Sequence, residues 1–215
     1  MITRQDRVSL FIMGVISILI GLIPQVQAAL FYPDYVWFSS ISASATTQST
    51  TSMVLPLGLG AVLLFCMVYK GYCKLDNWIT NVVALGLFFV VAQPCLSRWT
   101  QNLERVGLFG LPPNVSGIVH NIGAFVGFGA MIFWVFYLFT KGRNKVRKIV
   151  YYVCSVIALT ALGTLFQRGW RYHNVVETIH DESLFVWIIE VAILIPMGAA
   201  LIIKSDIVNT LRKTD

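Results

Sequence analysis

Apolar residues along this chain gather into six runs, and the segments between them carry most of the charge. The runs cover roughly Val8–Leu30, Thr51–Tyr69, Asn77–Ala92, Ser116–Phe139, Val146–Phe166 and Leu184–Ile203. About 20 consecutive apolar residues span the hydrocarbon of a bilayer as a helix. Six such runs predict six membrane helices, the third of them short. They use up most of the chain, so positions 1–215 read as a single all-α transmembrane domain, a six-helix bundle.

Composition agrees with that pattern. Of 215 residues, 57% are hydrophobic and 12% charged, with a mean hydropathy of +0.74. A soluble domain carries about 25% charged residues. The first 28 residues share the outline of a signal peptide, with Arg4 and Arg7, an apolar core and Val26-Gln27-Ala28 at the end. They are read here as the first membrane helix.

Charge sets the expected orientation. One side of the bundle receives Arg4, Arg7, Lys70, Lys74, Lys141, Arg143, Lys145, Arg147, Lys148, Lys204, Arg212 and Lys213. The other receives Arg98, Arg105, Arg168 and Arg171. Basic residues accumulate in cytoplasmic loops, so both termini are expected inside, in a multi-pass protein of the cell membrane, most simply a bacterial cytoplasmic membrane. The net charge of +6 then reports orientation and contact with anionic lipid. No basic cluster or nucleic-acid motif is present, so nucleic acid is not an expected partner. Cys66, Cys73, Cys95 and Cys154 show no metal-finger or disulfide spacing.

The connections differ in length. Lys70–Asp76 and Lys141–Lys145 are tight turns, which make neighbours of the second and third spans and of the fourth and fifth. On the other side, Phe31–Thr50 opens with FYPDYVWFSS and continues ISASATTQST. Gln93–Val115 ends in GLPPN, a helix stop before the fourth span. Prolines 24, 56 and 196 fall within spans and free a carbonyl one turn back. Gly123-Ala-Phe-Val-Gly127 allows close helix approach and reads as internal packing more readily than as a dimer face.

The chemistry-bearing residues lie toward the outer side. Glu190 sits about two turns inside the last span, roughly 10 Å below the interface. A carboxylate facing lipid there is disfavoured by kilocalories, so it must face the bundle interior. It serves either as a cation, proton or polar-ligand site or as a structural bridge between helices. His120, Asn121, Arg98 and Arg171 are its candidate partners, with Ser116 one turn before His120 on the same face. A helical 173–180 segment would stack His173, Glu177 and His180 on one face. With His120 they would offer imidazole and carboxylate ligands of the kind zinc takes. Interfacial hydrogen bonding is the plainer reading of these histidines. Glu177-x-x-His180 matches one half of a di-iron pair whose other half is missing.

SSISASATTQST, the following apolar helix and YKGYCKLDNWITNVVALGLF resemble a group of bacterial six-helix membrane proteins without an assigned activity. The likeness continues through HNIGAFVGFGAMIFWVFYLFTKGRNKVRKIVYYVC and the helix holding Glu190. The chain is more distantly similar to the DRAM-type six-helix proteins. Ser116-Gly-Ile-Val-His120 is also similar to the Ser-x3-His element of the superfamily of alkaline ceramidases and progestin/adiponectin receptors. That partial likeness implies a zinc-dependent lipid-amide hydrolase, but the family's seventh span and final His-x3-His are missing.

Three functions follow as expectations. The first is a non-enzymatic protein with an outward-facing polar cavity between spans four and six and the 167–182 loop. It would bind a cation, a lipid headgroup or a small polar ligand as a sensor, carrier or accessory subunit. The second is a metal-dependent membrane hydrolase acting on a lipid, with His120, His173 and His180 as ligands and Glu177 or Asp181 as base or ligand. The third is an ion or proton pathway through Glu190.

Overall fold

A computed structural model describes residues 4–31, 38–47, 50–69, 71, 73–141, 144–172 and 184–206, with backbone alone at Phe31, Thr50, Thr51 and 169–172. The described residues are helical except for turns and one isolated antiparallel bridge between Val106 and Leu111. The helices are α1 (Arg4–Phe31), α2 (Ile41–Ser44), α3 (Val54–Val68), α4 (Lys74–Ala92), α5 (Pro113–Phe133), α6 (Lys145–Tyr172) and α7 (Phe185–Ser205). Helix α5 continues through a π-helical turn at Trp134–Leu138.

Five of these helices are long and apolar enough to cross a membrane: α1, α4, α5 with its π turn, α6 and α7. The architecture fits a multi-pass membrane protein. The short helix is not the third expected span, since α4 runs to 19 residues. It is the second: α3 has 15 residues, preceded by a 3-10 turn at Thr50–Met53. Hydroxyl residues and Pro56 at its start account for the late beginning.

The helices close into a ring. Helix α1 packs on α7, α7 on α6, α6 on α5, α5 on α4, α4 on α3, and α3 back on α1. The α1–α7 and α4–α5 pairs make the broadest contacts. Small residues explain both. A Cβ on Gly14 of α1 would lie 2.6 Å from the Gly198 carbonyl oxygen of α7. A Cβ on Gly86 of α4 would run into the Gly127 backbone and lie 2.7 Å from the Gly123 carbonyl oxygen. Gly123 and Gly127 are thus used inside the ring, where dispersion contact between backbones holds helices that lipid does not push together.

The outer surface is apolar. Leu57, Leu64 and Met67 of α3 and Ile149, Val153 and Val156 of α6 are more than half exposed. In water such a girdle would drive association, and in a bilayer it faces acyl chains.

Polar anchors mark both ends of the ring. At the end holding the α1 N-terminus, Arg147 donates to Asp206 at 2.7 Å and Arg7 lies 3.7 Å from the same carboxylate. Asp206 stands just past α7 with a left-handed φ of 52°, which Asp tolerates better than most residues. Nearby, the buried Trp134 indole donates to buried Asp76 at 2.6 Å. The opposite end is closed by the 38–47 and 93–112 segments, and the candidate site lies there.

Candidate functional site at the loop end of the bundle

The site is built around Ile41–Ser44, a single helical turn inserted between the long helices. Ser40 starts it, its hydroxyl accepting from Ala43 N–H at 2.8 Å, as a serine before a helix commonly does. The segment is tied to three long helices. The Gln25 carboxamide of α1 clamps Phe38, donating to its carbonyl at 2.7 Å and accepting from its N–H at 3.2 Å. Trp187 N–H of α7 donates to the Ser39 carbonyl at 2.9 Å. Thr46 and Ser97 share a hydroxyl hydrogen bond of 2.8 Å that joins the two loop segments.

Glu190, one and a half turns into α7, directs its carboxylate at this turn. Oε2 accepts from the Ile41 N–H at 2.5 Å and Oε1 from the Ser42 hydroxyl at 3.1 Å. The first N–H groups of a helix have no partner within it, so a carboxylate there is well received. His120, two turns into α5, completes the chain: its Nε2 lies 3.2 Å from Ser42 Oγ, and its Nδ1 2.8 Å from the Gln93 carbonyl. A carbonyl only accepts, so Nδ1 carries a proton. In the neutral ring Nε2 therefore holds the lone pair, turned toward Ser42.

The loop after α4 is shaped to support this. Gly107 and Gly110 have φ of 72° and 58°, and a Cβ on Gly107 would lie 2.5 Å from Gln93 Oε1. Leu108 N–H then donates to the Ala92 carbonyl at 2.8 Å, laying the turn across the end of α4. Cys95 stands close enough to feel Glu190. Burial pushes its thiol up to about 12, and the Glu190 charge adds a smaller push in the same direction.

Beside Ser42 and His120 opens a cavity of about 440 Å³. Its walls are Leu55 and Pro56 of α3, Phe88, Val90, Val91 and Ala92 of α4, Pro94, Gly107 and Leu108, with Ala45 next to Ser42. Apart from Ser42 and His120, the side chains lining it are apolar.

The expected site residues divide accordingly. His120 and Glu190 come together, through Ser42 rather than directly. Ser116 is fully buried and donates to the Pro94 carbonyl at 2.9 Å, supporting the wall and not reaching the carboxylate. Asn121 points out of the bundle, because it follows His120 by 100° around α5. Arg98 is exposed and lies over the Trp99 ring, 4.3 Å from its centre. Arg171 belongs to α6, with its side chain outside the description, and His173, Glu177, His180, Asp34, Asp181 and Glu182 lie outside the described residues. The described cavity is lined by spans two and three and the 38–47 and 93–112 segments with His120, and its wall is otherwise apolar. The expected cavity involves the 167–182 loop, of which 173–182 lie outside the described residues.

Among the described residues no three His, Cys, Asp or Glu side chains converge as metal ligands. Both His120 ring nitrogens already face protein partners, the Gln93 carbonyl and Ser42 Oγ. Ser42 was the residue that sequence reasoning missed. Its only signal was membership of the hydroxyl-rich SISAS stretch before the second apolar run. Comparison of the chain with protein-family models, curated proteins and solved structures finds no match.

Proposed function

We propose that this protein is a six-span membrane protein, with both termini in the cytoplasm, that holds an amphiphile in an outward-facing cavity. The sixth span in this reading is α3. Fifteen α-helical residues reach about 22 Å and four 3-10 residues add about 8 Å, together about the hydrocarbon thickness. The uneven distribution of Lys and Arg supports the orientation.

The observation that carries the reading is the lining of the cavity. Ligand sites of some 300–1,000 Å³ are mostly apolar, with a few placed polar groups that fix orientation. Here the apolar wall of α3 and α4 meets Ser42 and His120 at one end. A bare cation would find too few oxygens, whereas an acyl or prenyl chain would find a matching wall. Its ester, hydroxyl or headgroup oxygen would lie at Ser42 and His120. Glu190 holds the polar end in place by fixing the α2 turn to α7.

The test is extraction of purified protein with organic solvent, followed by mass spectrometry of the released amphiphiles. The native chain yields an enriched species near one per protein, and Ala45→Phe, which fills the cavity, loses it while melting normally. Equal recovery from both proteins would refute the reading.

A further inference from the structure

We propose that Ser42 is a nucleophile, activated by His120, that accepts an acyl group from an ester-bearing amphiphile in the cavity. This rests on the amphiphile reading of the same cavity and adds a reaction to it.

Three independent pieces of geometry meet at one oxygen. Ser42 Oγ is 3.2 Å from His120 Nε2, the separation expected of a nucleophile and its general base before substrate tightens the contact. His120 is held in the productive tautomer because Nδ1–H is committed to the Gln93 carbonyl at 2.8 Å. That carbonyl occupies the orienting place a carboxylate takes in serine hydrolases. Ser42 also lines the cavity and is only partly buried, so its oxygen is presented to whatever the cavity holds. Glu190 is the positioning residue: its Oε1, 3.1 Å from Oγ, receives the Ser42 proton in this structure. Through Ile41 N–H the carboxylate fixes the turn that bears Ser42. Rotation about the Cβ–Oγ bond turns the same proton to His120 Nε2 before attack.

The reaction balances with water as the only co-substrate. Once its proton has turned from Glu190 Oε1 to His120 Nε2, Ser42 Oγ attacks the ester carbonyl carbon while that proton passes to Nε2. The tetrahedral adduct collapses, the C–O bond to the alcohol breaks, and His120 returns the proton to the departing alkoxide. Acyl-Ser42 remains. Water then attacks the same carbon, giving its proton to His120, and the C–O bond to Ser42 breaks as the proton returns to Oγ. One ester and one water become one carboxylic acid and one alcohol. Esters of amphiphiles are the class indicated, because the acyl chain lies along Leu55, Val91 and Leu108 and the carbonyl stops at the polar end.

The experiment is reaction of the purified full-length protein, in detergent micelles, with an alkyl fluorophosphonate, followed by peptide mass spectrometry. The proposal expects a phosphonyl adduct on Ser42, absent in His120→Gln protein that still melts cooperatively. The adduct is mapped on the native chain, so the result does not depend on whether Ser42→Ala folds. No adduct on folded protein, or an adduct on another residue alone, overturns the nucleophile. Amphiphile recovered from such unlabelled protein would leave the cavity reading standing. An adduct at Ser42 without any recovered amphiphile would instead sink the cavity reading and keep the nucleophile.

Discussion

Ser42 Oγ and His120 Nε2 stand 3.2 Å apart although 78 residues separate them in the chain. Neither lies on the helix that carries Glu190, yet the three form one line of polar contacts from α7 through the α2 turn to α5, with one Ser42 proton shared between the two neighbours. The line fastens a loop segment to the bundle and gives the apolar cavity its polar end.

Removing the carboxylate leaves a buried donor without its partner. Glu190→Ala strands the Ile41 N–H, while the Ser42 hydroxyl can turn to His120 Nε2, and the loss costs about 1–3 kcal/mol. At about 2–4 °C per kcal/mol for a chain of this size, thermal melting in detergent falls by several degrees. Glu190→Gln keeps one acceptor and falls less. Equal melting of the native chain and the alanine variant would show that the α2 turn is held by something else.

The glycines give opposite outcomes at two positions. Gly86→Ala pushes a methyl into the Gly127 backbone, and overpacking of this kind costs about 1–3 kcal/mol. Gly60→Ala meets nothing within 4 Å and gains about 0.4–1 kcal/mol by restricting the unfolded chain. Melting temperatures of the two variants should move apart, and a shared direction would contradict the packing described for α4 and α5.

At the other end of the ring, Trp134→Phe deletes the buried donor to Asp76. Losing that hydrogen bond costs about 1 kcal/mol, and near-ultraviolet circular dichroism should lose a fixed tryptophan signal along with stability. Asp76→Asn retains an acceptor and is milder.

Cysteine chemistry reports both burial and sidedness. Cys73 is exposed at the α4 start, and in the proposed orientation a membrane-impermeant maleimide reaches it only in inverted or permeabilised membranes. Cys95, its thiol pushed up to about 12, stays protonated and slow to react between pH 7 and 9. Its raised value also means that stability is full below the ordinary thiol value of 9.0 and declines as pH climbs from there toward 12. Rapid labelling of Cys95 at pH 7 would contradict a thiol held protonated beside Glu190.

Much of the fold was legible because bilayer-length apolar windows are a strong signal and tolerate few alternatives. The Val8–Leu30 run became α1 and the Leu184–Ile203 run became α7 with boundary shifts of a few residues. The 51–69 run is covered by the 3-10 turn at Thr50–Met53 and α3, but hydropathy does not see that its first turn winds more tightly and leaves an α-helix of only 15 residues. Glu190 was legible as a residue needing an interior partner, since burial of charge is costly wherever it occurs. Its partners were not. Ser42 is one of many hydroxyls between Ser39 and Ser52, and only the docking of that segment onto α1, α5 and α7 selects it. Asn121 and Arg98 looked equally apt beside His120 and Glu190, but helix phase turns the first outward and the Trp99 ring holds the second.

The central claim is that an amphiphile occupies the wall between α3 and α4 with its polar end at Ser42 and His120. Photocrosslinking with a diazirine-bearing acyl amphiphile in reconstituted membranes, mapped by peptide mass spectrometry, measures this directly. The account predicts saturable adducts at Leu55, Val91 or Leu108, competed by unlabelled amphiphile and lost in Ala45→Phe. Adducts confined to the outer girdle at residues such as Leu57 and Leu64, rising without saturation, would contradict it.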